Sequence, residues 1–435
     1  MNRNYLFITL GALFVFAAQL LVPATAMAQS NNNQYTLNPA TYKQVQRIQK
    51  LMGNNKYQKA ISLGKSMLPG LKKGNPYAEA LVSQLIANSY LAGQHFDQAE
   101  PYLKRIIQLD ALQPQNQMSV VQELATIYLV KKNYNGSIRL YQQVFKQEKK
   151  NKVQPTPILY YRYGLAYSYR ADATKNKSDY EKALDNVKKA INMREELHRK
   201  KPKKYDPVSK DWYQSWFVIS YKMHDYHQAF DVAKLLVAKW PDDKDFWSYY
   251  ANVALLQHDD STATAVYGLM YKKGFFKSKD DYLQLASLLL EEGSPYKAAE
   301  VMADGMKKGY IPKTKDSYEQ LAGAWTSARA WDKALATLSK EAQVSQNGKV
   351  YLRQATIYLS RRDYGKASQA AQNALNKGGL GSDAGRALMV LGQSEYELKN
   401  YGNAVSAFKR AEKYKKHESD AKNWLKYVAQ ARSGG

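Results

Sequence analysis

The sequence predicts an all-α protein: a right-handed superhelical solenoid of about nine to ten helix hairpins, closed by a C-terminal capping helix. Three observations predict it. Small residues recur in pairs twelve positions apart: Ala87/Ala99, Ala125/Ser137, Phe217/Ala229, Ala251/Ala263, Ala286/Ala298, Ala322/Ala334, Ala355/Ala367 and Gly392/Ala404. Phe217 is the one large member, and Gly164/Ala183 is a stretched copy. An aromatic stands three residues before the second member in seven copies: Phe96, Tyr134, Tyr180, Tyr226, Trp331, Tyr364 and Tyr401. Apolar residues from Thr41 onward fall at three- and four-residue spacing, the period of an α-helix. A repeat of this kind decides the architecture before any local reading does.

The elements follow in order. Arg3, the apolar stretch Tyr5 to Val22, Pro23 and the small residues of Ala26-Met27-Ala28 read as a secretory signal, residues 1–28, cleaved after Ala28. The alternative for the same stretch is an uncleaved membrane anchor. Residues 29–40 are polar and are expected to be disordered. The first copy, around Tyr57 and Ala60, lacks a clean first helix. The second shows the pattern well. Ala80 to Ala92 forms one helix with Leu81, Leu85, Ile86 and Tyr90 apolar. Gly93-Gln94-His95 turns, and Phe96 to Leu109 forms the other helix, with Ala99, Leu103, Ile106 and Ile107 inside.

Residues 148–157 make a polar connector with two prolines. Between Gly164 and Ala183 the hairpin turn is expected to be longer by seven residues, and a long basic connection is expected between Ala190 and Lys210. The remaining copies are regular. A helix from Ser419 to Ser433, with Trp424, Leu425 and Val428 on one side, caps the array. The division expected is an N-terminal part with expanded repeats, 41–209, and a regular part with its cap, 210–435.

The small residues have a packing reason. Two helices of a hairpin cross closely where each carries Ala or Gly, and a larger side chain there costs about 1–3 kcal/mol in overpacking. The aromatic one turn earlier lies on the same face of the second helix and closes the open end of the hairpin.

Composition bounds the chemistry. The 435-residue chain has no cysteine, so no disulfide, thiolate metal site or cysteine nucleophile exists. The net charge is +26, and it stays strongly positive after removal of residues 1–28. Such a field draws acidic partners. For an exported chain these are acidic polymers, lipid head groups or acidic protein segments rather than nucleic acid. The run Arg199, Lys200, Lys201, Lys203 and Lys204 is dense enough to be a candidate anion contact.

Catalytic signals are missing. There is no GxSxG, no phosphate-cradling GxxxxGK[ST] and no HExxH. His224 and His227 flank a turn with Asp225 between them, too few ligands for a structural zinc. Asp259 and Asp260 read as helix caps, and Ser294-Pro295 as N-cap and first helical residue. Glu291-Glu292 are adjacent on a helix and diverge, so they form no carboxylate dyad. No enzyme, cofactor or metal is expected.

The whole pattern resembles the tetratricopeptide repeat family. One copy carries Leu391, Gly392, Tyr401, Ala404, Phe408 and Ala411 at the family's places, and another carries Trp216, Tyr226, Ala229 and Pro241. Successive copies are 46 residues apart at two intervals and 33 to 38 apart at the other six, against about 34 in the family. The resemblance implies a concave face lined by first helices that holds a peptide or helix. By family register its lining includes Gln84, Asn88, Gln122, Thr126, Tyr161, Tyr169, Gln214, Tyr221, Lys222, Ser248 and Asn252. A solvated groove with no partner is the plain alternative. The lysine with which some members hold a peptide carboxylate is missing from every copy, so that mode is not expected.

Phrases in the C-terminal half are similar to one subgroup: GSPYKAAEVMADGMKKGYI (293–311), KVYLRQATIYLSRRDYGKA (349–367) and GGLGSDAGRALMVLGQSEYELKNYGNAVSAFKRAEKY (378–414). They look like the exported tetratricopeptide proteins encoded beside TonB-ExbB-ExbD systems in Gram-negative bacteria. That resemblance implies a periplasmic scaffold contacting the transduction complex. The alternative is an envelope or polysaccharide-assembly factor that binds acidic polymer or lipid head groups through its basic surface.

Overall fold

The computed structural model describes residues 35–72, 74–345 and 347–433. The expected signal segment, residues 1–28, lies outside them. Among the described residues every long element is an α-helix and there is no strand. The chain divides into two compact units at Asp242/Asp243, one hairpin later than the expected 209/210 boundary.

The first unit holds α1 (Pro39–Gly53), α2 (Tyr57–Leu71), α3 (Pro76–Ala92), α4 (Phe96–Leu109), α5 (Pro114–Val130), α6 (Tyr134–Lys150), α7 (Pro157–Thr174), α8 (Lys177–Lys200), α9 (Lys210–Lys222) and α10 (Tyr226–Lys239). The second holds α11 (Lys244–Leu256), α12 (Asp260–Lys272), α13 (Lys279–Glu291), α14 (Pro295–Lys307), α15 (Lys315–Ser327), α16 (Trp331–Val344), α17 (Lys349–Ser360), α18 (Tyr364–Lys377), α19 (Ala384–Glu397), α20 (Tyr401–Ala411) and α21 (Glu418–Ser433). Consecutive helices pair into hairpins. First helices also touch across hairpins, as α5 does α7 and α7 does α9 in one unit, and α17 does α19 in the other. This is the neighbour-only packing of a solenoid.

The paired small residues all lie inside. Ala87, Ala99, Ala125, Ser137, Ala183, Ala229, Ala251, Ala263, Ala298, Ala334, Ala355, Ala367 and Ala404 are 0% exposed. Their tightness is measurable at the glycines. A Cβ on Gly164 would lie 3.0 Å from the Ala183 carbonyl oxygen, and one on Gly392 would lie 2.5 Å from the Phe408 ring. Ser137 uses its extra oxygen to donate to the Ala125 carbonyl at 2.7 Å. The aromatics named above are the first residues of α4, α6, α10, α16, α18 and α20, with Tyr180 three residues into α8.

The hairpins share a left-handed turn residue. The residue two before the second helix has positive φ: Asn55, Gln94, Lys132, Lys175, His224, His258, Gly293, Arg329, Arg362 and Lys399. In nine of these turns the next amide bonds a carbonyl five residues back, as His95 N does to Tyr90 O at 2.9 Å and Asp363 N to Tyr358 O at 2.9 Å, whereas in the α7–α8 turn Lys175 N bonds Ala171 O at 2.7 Å. Only one of these left-handed positions is glycine, which is why composition does not mark them.

Three sequence expectations change. Between Gly164 and Ala183 the turn is no longer than the others. Lys175 has φ 58°, Asn176 accepts from Asp179 N at 3.2 Å, and the extra residues extend helices. α7 has 18 residues and α8 has 24, against 13 in α9 and 14 in α10. Second, the basic connection shrinks, because Arg199 and Lys200 end α8. Third, the first copy does have a first helix, α1, with Val45 and Ile48 0% exposed. Within the segment expected to be disordered, Tyr35 packs edge-on against Tyr77 at 5.6 Å, Leu37 is buried, and Asn38 caps α1 through Thr41 N at 2.8 Å. Apolar contacts made by Tyr35 and Leu37 outweigh the polar composition around them.

The last helix, α21, does cap its unit. Ala421 and Val428 are fully buried, and Trp424 stacks on Phe408 at 5.5 Å.

Candidate functional site

Nine of the eleven residues assigned to the concave face lie in the first unit and two, Ser248 and Asn252, in the second. Three of the nine are interior rather than surface. Gln84 and Thr126 are 2% exposed and Tyr161 is 5% exposed. Thr126 Oγ1 donates to the Gln122 carbonyl at 2.9 Å and lies 3.0 Å from the Tyr141 hydroxyl. The Tyr161 hydroxyl is 2.9 Å from Ser215 Oγ, and its ring stacks on Trp212 at 4.5 Å. Burial pushes the Tyr161 phenol well above its ordinary range. Gln84 Oε1 and Asn88 Oδ1 are enclosed without a donor. In the second unit Ser248 Oγ donates back to the Lys244 carbonyl at 3.1 Å, and Asn252 stands exposed.

The residues the structure does bring together lie at the long α7–α8 hairpin. Half-buried Tyr169 stacks on Tyr134, the first residue of α6, at 6.3 Å and 16°. Asp172, on the added turn of α7, receives Lys222 Nζ of α9 at 2.5 and 2.6 Å and the Tyr180 hydroxyl of α8 at 2.7 Å. The charge of Asp172 and, more strongly, burial raise the phenols of Tyr134 and Tyr169. On α9, Tyr221 stacks on Phe217 at 6.1 Å and meets Tyr226 edge-on at 5.8 Å. Arg170 holds the hairpin from the other side, with both Asp179 oxygens at 2.6 and 2.7 Å and Asn135 Oδ1 at 2.8 Å.

The added turn of α7 therefore sets Asp172, paired with Lys222, beside half-buried Tyr134 and Tyr169 and buried Tyr180. Gln214 is half-buried on α9 nearby in sequence. Register alone found Tyr169, Tyr221 and Lys222 but missed Tyr134, Asp172, Tyr180 and Trp212. Their partners are up to 50 residues apart, as in Asp172–Lys222, and only the stretched spacing of Gly164/Ala183 hinted at the place.

The basic run is exposed at every expected position: Arg199, Lys200, Lys201, Lys203 and Lys204. Lys200 pairs with Glu196 one turn back at 2.6 Å and holds that carboxyl below its usual range. His198 Nδ1 sits 2.6 Å from the Tyr205 carbonyl, and Lys204 lies over the Tyr205 ring at 5.6 Å. The run is thus folded back onto α8. His224 Nδ1 is 2.8 Å from the Tyr226 hydroxyl. Among the described residues no cluster of His, Asp and Glu has the makings of a metal site, and no helix is long and apolar enough to cross a membrane.

Residues 352–421 match the family model of the tetratricopeptide repeat. No curated protein matches the chain. A tetratricopeptide repeat protein from Parabacteroides merdae is 10% identical, with 66% of this chain and 99% of that one covered at a TM-score of 0.39. The C-terminal part of a TPR repeat-containing protein from Cytophaga hutchinsonii is 15% identical, covering 70% of this chain and 97% of that one, also at 0.39. Yeast Tom70 is 11% identical over 91% of this chain and 96% of its own, at 0.30.

Proposed function

We propose that this chain is a protein-binding scaffold, exported to the periplasm, that serves as an accessory of a TonB-ExbB-ExbD system. The observation that carries the binding role is the tyrosine group around Asp172–Lys222. Half-exposed tyrosines offer large rigid contact area with a polar tip, the chemistry of interface hot spots. Asp172 is also held by the Tyr180 hydroxyl, so the surface is organised before a partner arrives. Arg3, the apolar stretch to Val22 and the Ala26-Met27-Ala28 site support export. The phrases in residues 293–414 support the link to the transduction complex.

Photo-crosslinking in the native cell tests this. A benzoylphenylalanine at position 169 or 221 of the full chain is expected to capture TonB, ExbB or ExbD. Capture of other envelope proteins at both positions would remove the transduction role. Capture of nothing at either would remove the scaffold role of this face.

A second reading rests on the exposed basic run at the end of α8: contact with acidic polymer or lipid head groups. Its binding should weaken steeply with salt, since exposed charges are screened within about 10 Å at 0.1 M ionic strength. Salt-insensitive retention on an anionic resin would remove it.

A further inference from the structure

The charge of the second unit is sorted by edge. Residues 243–435 hold 29 Lys and Arg against 21 Asp and Glu. Successive helices run in opposite directions, so connections between hairpins emerge at one end of the stack and turns within hairpins at the other. The five connections, residues 270–281, 305–316, 340–351, 376–387 and 409–420, hold 17 cations and 8 acids. Windows of the same length around the five turns, 253–264, 288–299, 324–335, 357–368 and 394–405, hold 7 and 8. The whole excess therefore lies on the connection edge. All 17 cations there are exposed, and three of the acids answer cations outside this set. Asp281 pairs with Lys244 at 3.1 Å, Glu341 is 1% exposed and pairs with Arg353, and Glu418 pairs with Lys422 at 2.6 Å.

Helix stability accounts for only part of this. Cations at the ends of second helices, such as Lys272 and Lys307, suit the helix dipole. Lys279, Lys315 and Lys349 do not. They are the first residues of α13, α15 and α17, and Lys277 and Lys313 stand two positions before α13 and α15. A helix N-terminus is already positive, so cations there oppose the dipole. The charges it favours are supplied by Asp280 and Asp281 in α13 and by Asp316 in α15. Five lysines thus stand on this edge against local preference, which points to a partner.

We propose that this edge lies on the surface of an anionic lipid bilayer. Fifteen of the 17 cations are lysines. Their compact charge needs no fixed geometry, whereas a seat for one carboxylate or phosphate favours the arginine fork. A lysine-rich edge suits charge spread over many head groups. Apolar residues decide for lipid over a soluble acidic polymer. Phe275, Tyr310 and Tyr414 are half-buried among these lysines, and Val344 is 47% exposed. Lys273 lies over the Phe275 ring at 5.5 Å. Aromatic rings beside lysines fit the head-group layer, which is apolar on one side and wet on the other. A polymer in water offers no such layer. This rests on the second reading and deepens it, by choosing lipid and by placing the contact in the second unit.

The chain has no cysteine, so a single one marks a chosen place. Gln343→Cys, exposed on the connection edge, and Ser261→Cys, exposed on the turn edge, each carry an environment-sensitive fluorophore in the full chain. Vesicles of phosphatidylcholine, alone or with phosphatidylglycerol, carry a nitroxide quencher on the head group. The expected result is quenching at position 343 by the anionic vesicles only, little at 261, and loss of the effect at about 0.5 M salt. The comparison of two positions separates this edge from any attachment through residues 5–22. Changing Lys277, Lys279, Lys313 and Lys315 together to Gln should weaken vesicle binding, titrated by quenching at 343, on the order of a thousandfold, about 1 kcal/mol for each lysine. Circular dichroism checks that the variant folds.

No quenching at 343, equal quenching by neutral vesicles, equal quenching at 261, or a loss under about tenfold in the fourfold variant overturns the proposal. The variant Lys201→Gln, Lys203→Gln, Lys204→Gln separates it from the second reading. If that variant alone abolishes quenching, the run after α8 is the lipid contact and the edge falls. If only the fourfold variant does, the edge stands and the run has no part in it. Retention on an anionic polymer without quenching by any vesicle keeps the second reading as a polymer contact and overturns this one.

Discussion

Replacing Gly392 with alanine isolates the packing rule that organises this chain. The added Cβ on α19 would lie 2.5 Å from Phe408 Cε1 and 2.7 Å from Cδ1 and Cζ. Carbon atoms rest at about 3.5–4.0 Å, so the ring would have to retreat by about 1 Å. It has little room, being 0% exposed and stacked on Trp424 at 5.5 Å. Overpacking of this kind costs about 1–3 kcal/mol. Against it stands the helix gain of alanine over glycine, about 1 kcal/mol. The overlap involves a whole buried ring, so the upper half of the range applies and the net loss is about 1–2 kcal/mol. Gly323 is the control. It lies inside α15, exposed, with nothing within 4 Å of its would-be Cβ. There only the helix gain remains. The same substitution is therefore expected to move the urea midpoint down at Gly392 and up at Gly323, at constant slope, by far-UV circular dichroism. An unchanged or raised midpoint in Gly392→Ala would refute the close crossing and the meaning given to the twelve-residue pairs.

Three further outcomes are expected. A double-mutant cycle of Asp172→Asn and Lys222→Met should give a coupling of about 1 kcal/mol, discounted for partial exposure; zero coupling would mean the ion pair does not brace the long hairpin. Glu123, with Oε2 enclosed and unpaired, has its carboxyl pushed up to about 7 by burial, which the charge of Arg162 only partly opposes. The native state then holds that proton more tightly than the unfolded chain, so its stability contribution falls as pH rises from about 4.5 to about 7. Glu123→Gln should flatten that slope and stabilise the protein above this window by on the order of 1–2 kcal/mol, read from urea midpoints across pH; an unchanged slope would show the carboxyl titrating normally. Arg362, exposed at φ 60°, occupies a turn position that glycine adopts without strain. Arg362→Gly should stabilise by about 0.5–1 kcal/mol after losing a cation near a helix C-terminus, measured as a rise in Tm; a fall would place Arg362 in a contact of its own.

Much of the architecture is local information. A small residue, its partner twelve positions on, and the aromatic that opens the second helix lie within one hairpin, so the sequence by itself determined the hairpins, their helical phase and the buried identity of Ala99, Ala183 or Ala404. It determined the cap as well, because Trp424 and Val428 share one helical face. What it left open depends on atoms far along the chain. Seven extra residues between Gly164 and Ala183 are compatible with a loop or with longer helices. The turn at Lys175 and the braces Asp172–Lys222 and Arg170–Asn135 decide for helices, and those partners are 50 and 35 residues apart. The same holds for the inner face. Register points Tyr161 inward, but Ser215 and Trp212, from the next hairpin, close over it. The overhang of α8 at Arg199 is likewise a difference of lengths between two elements, 24 residues in α8 against 13 in α9. Periodicity encodes which face of a helix is covered; which neighbour covers it, and what is left open, is decided by how consecutive hairpins stack.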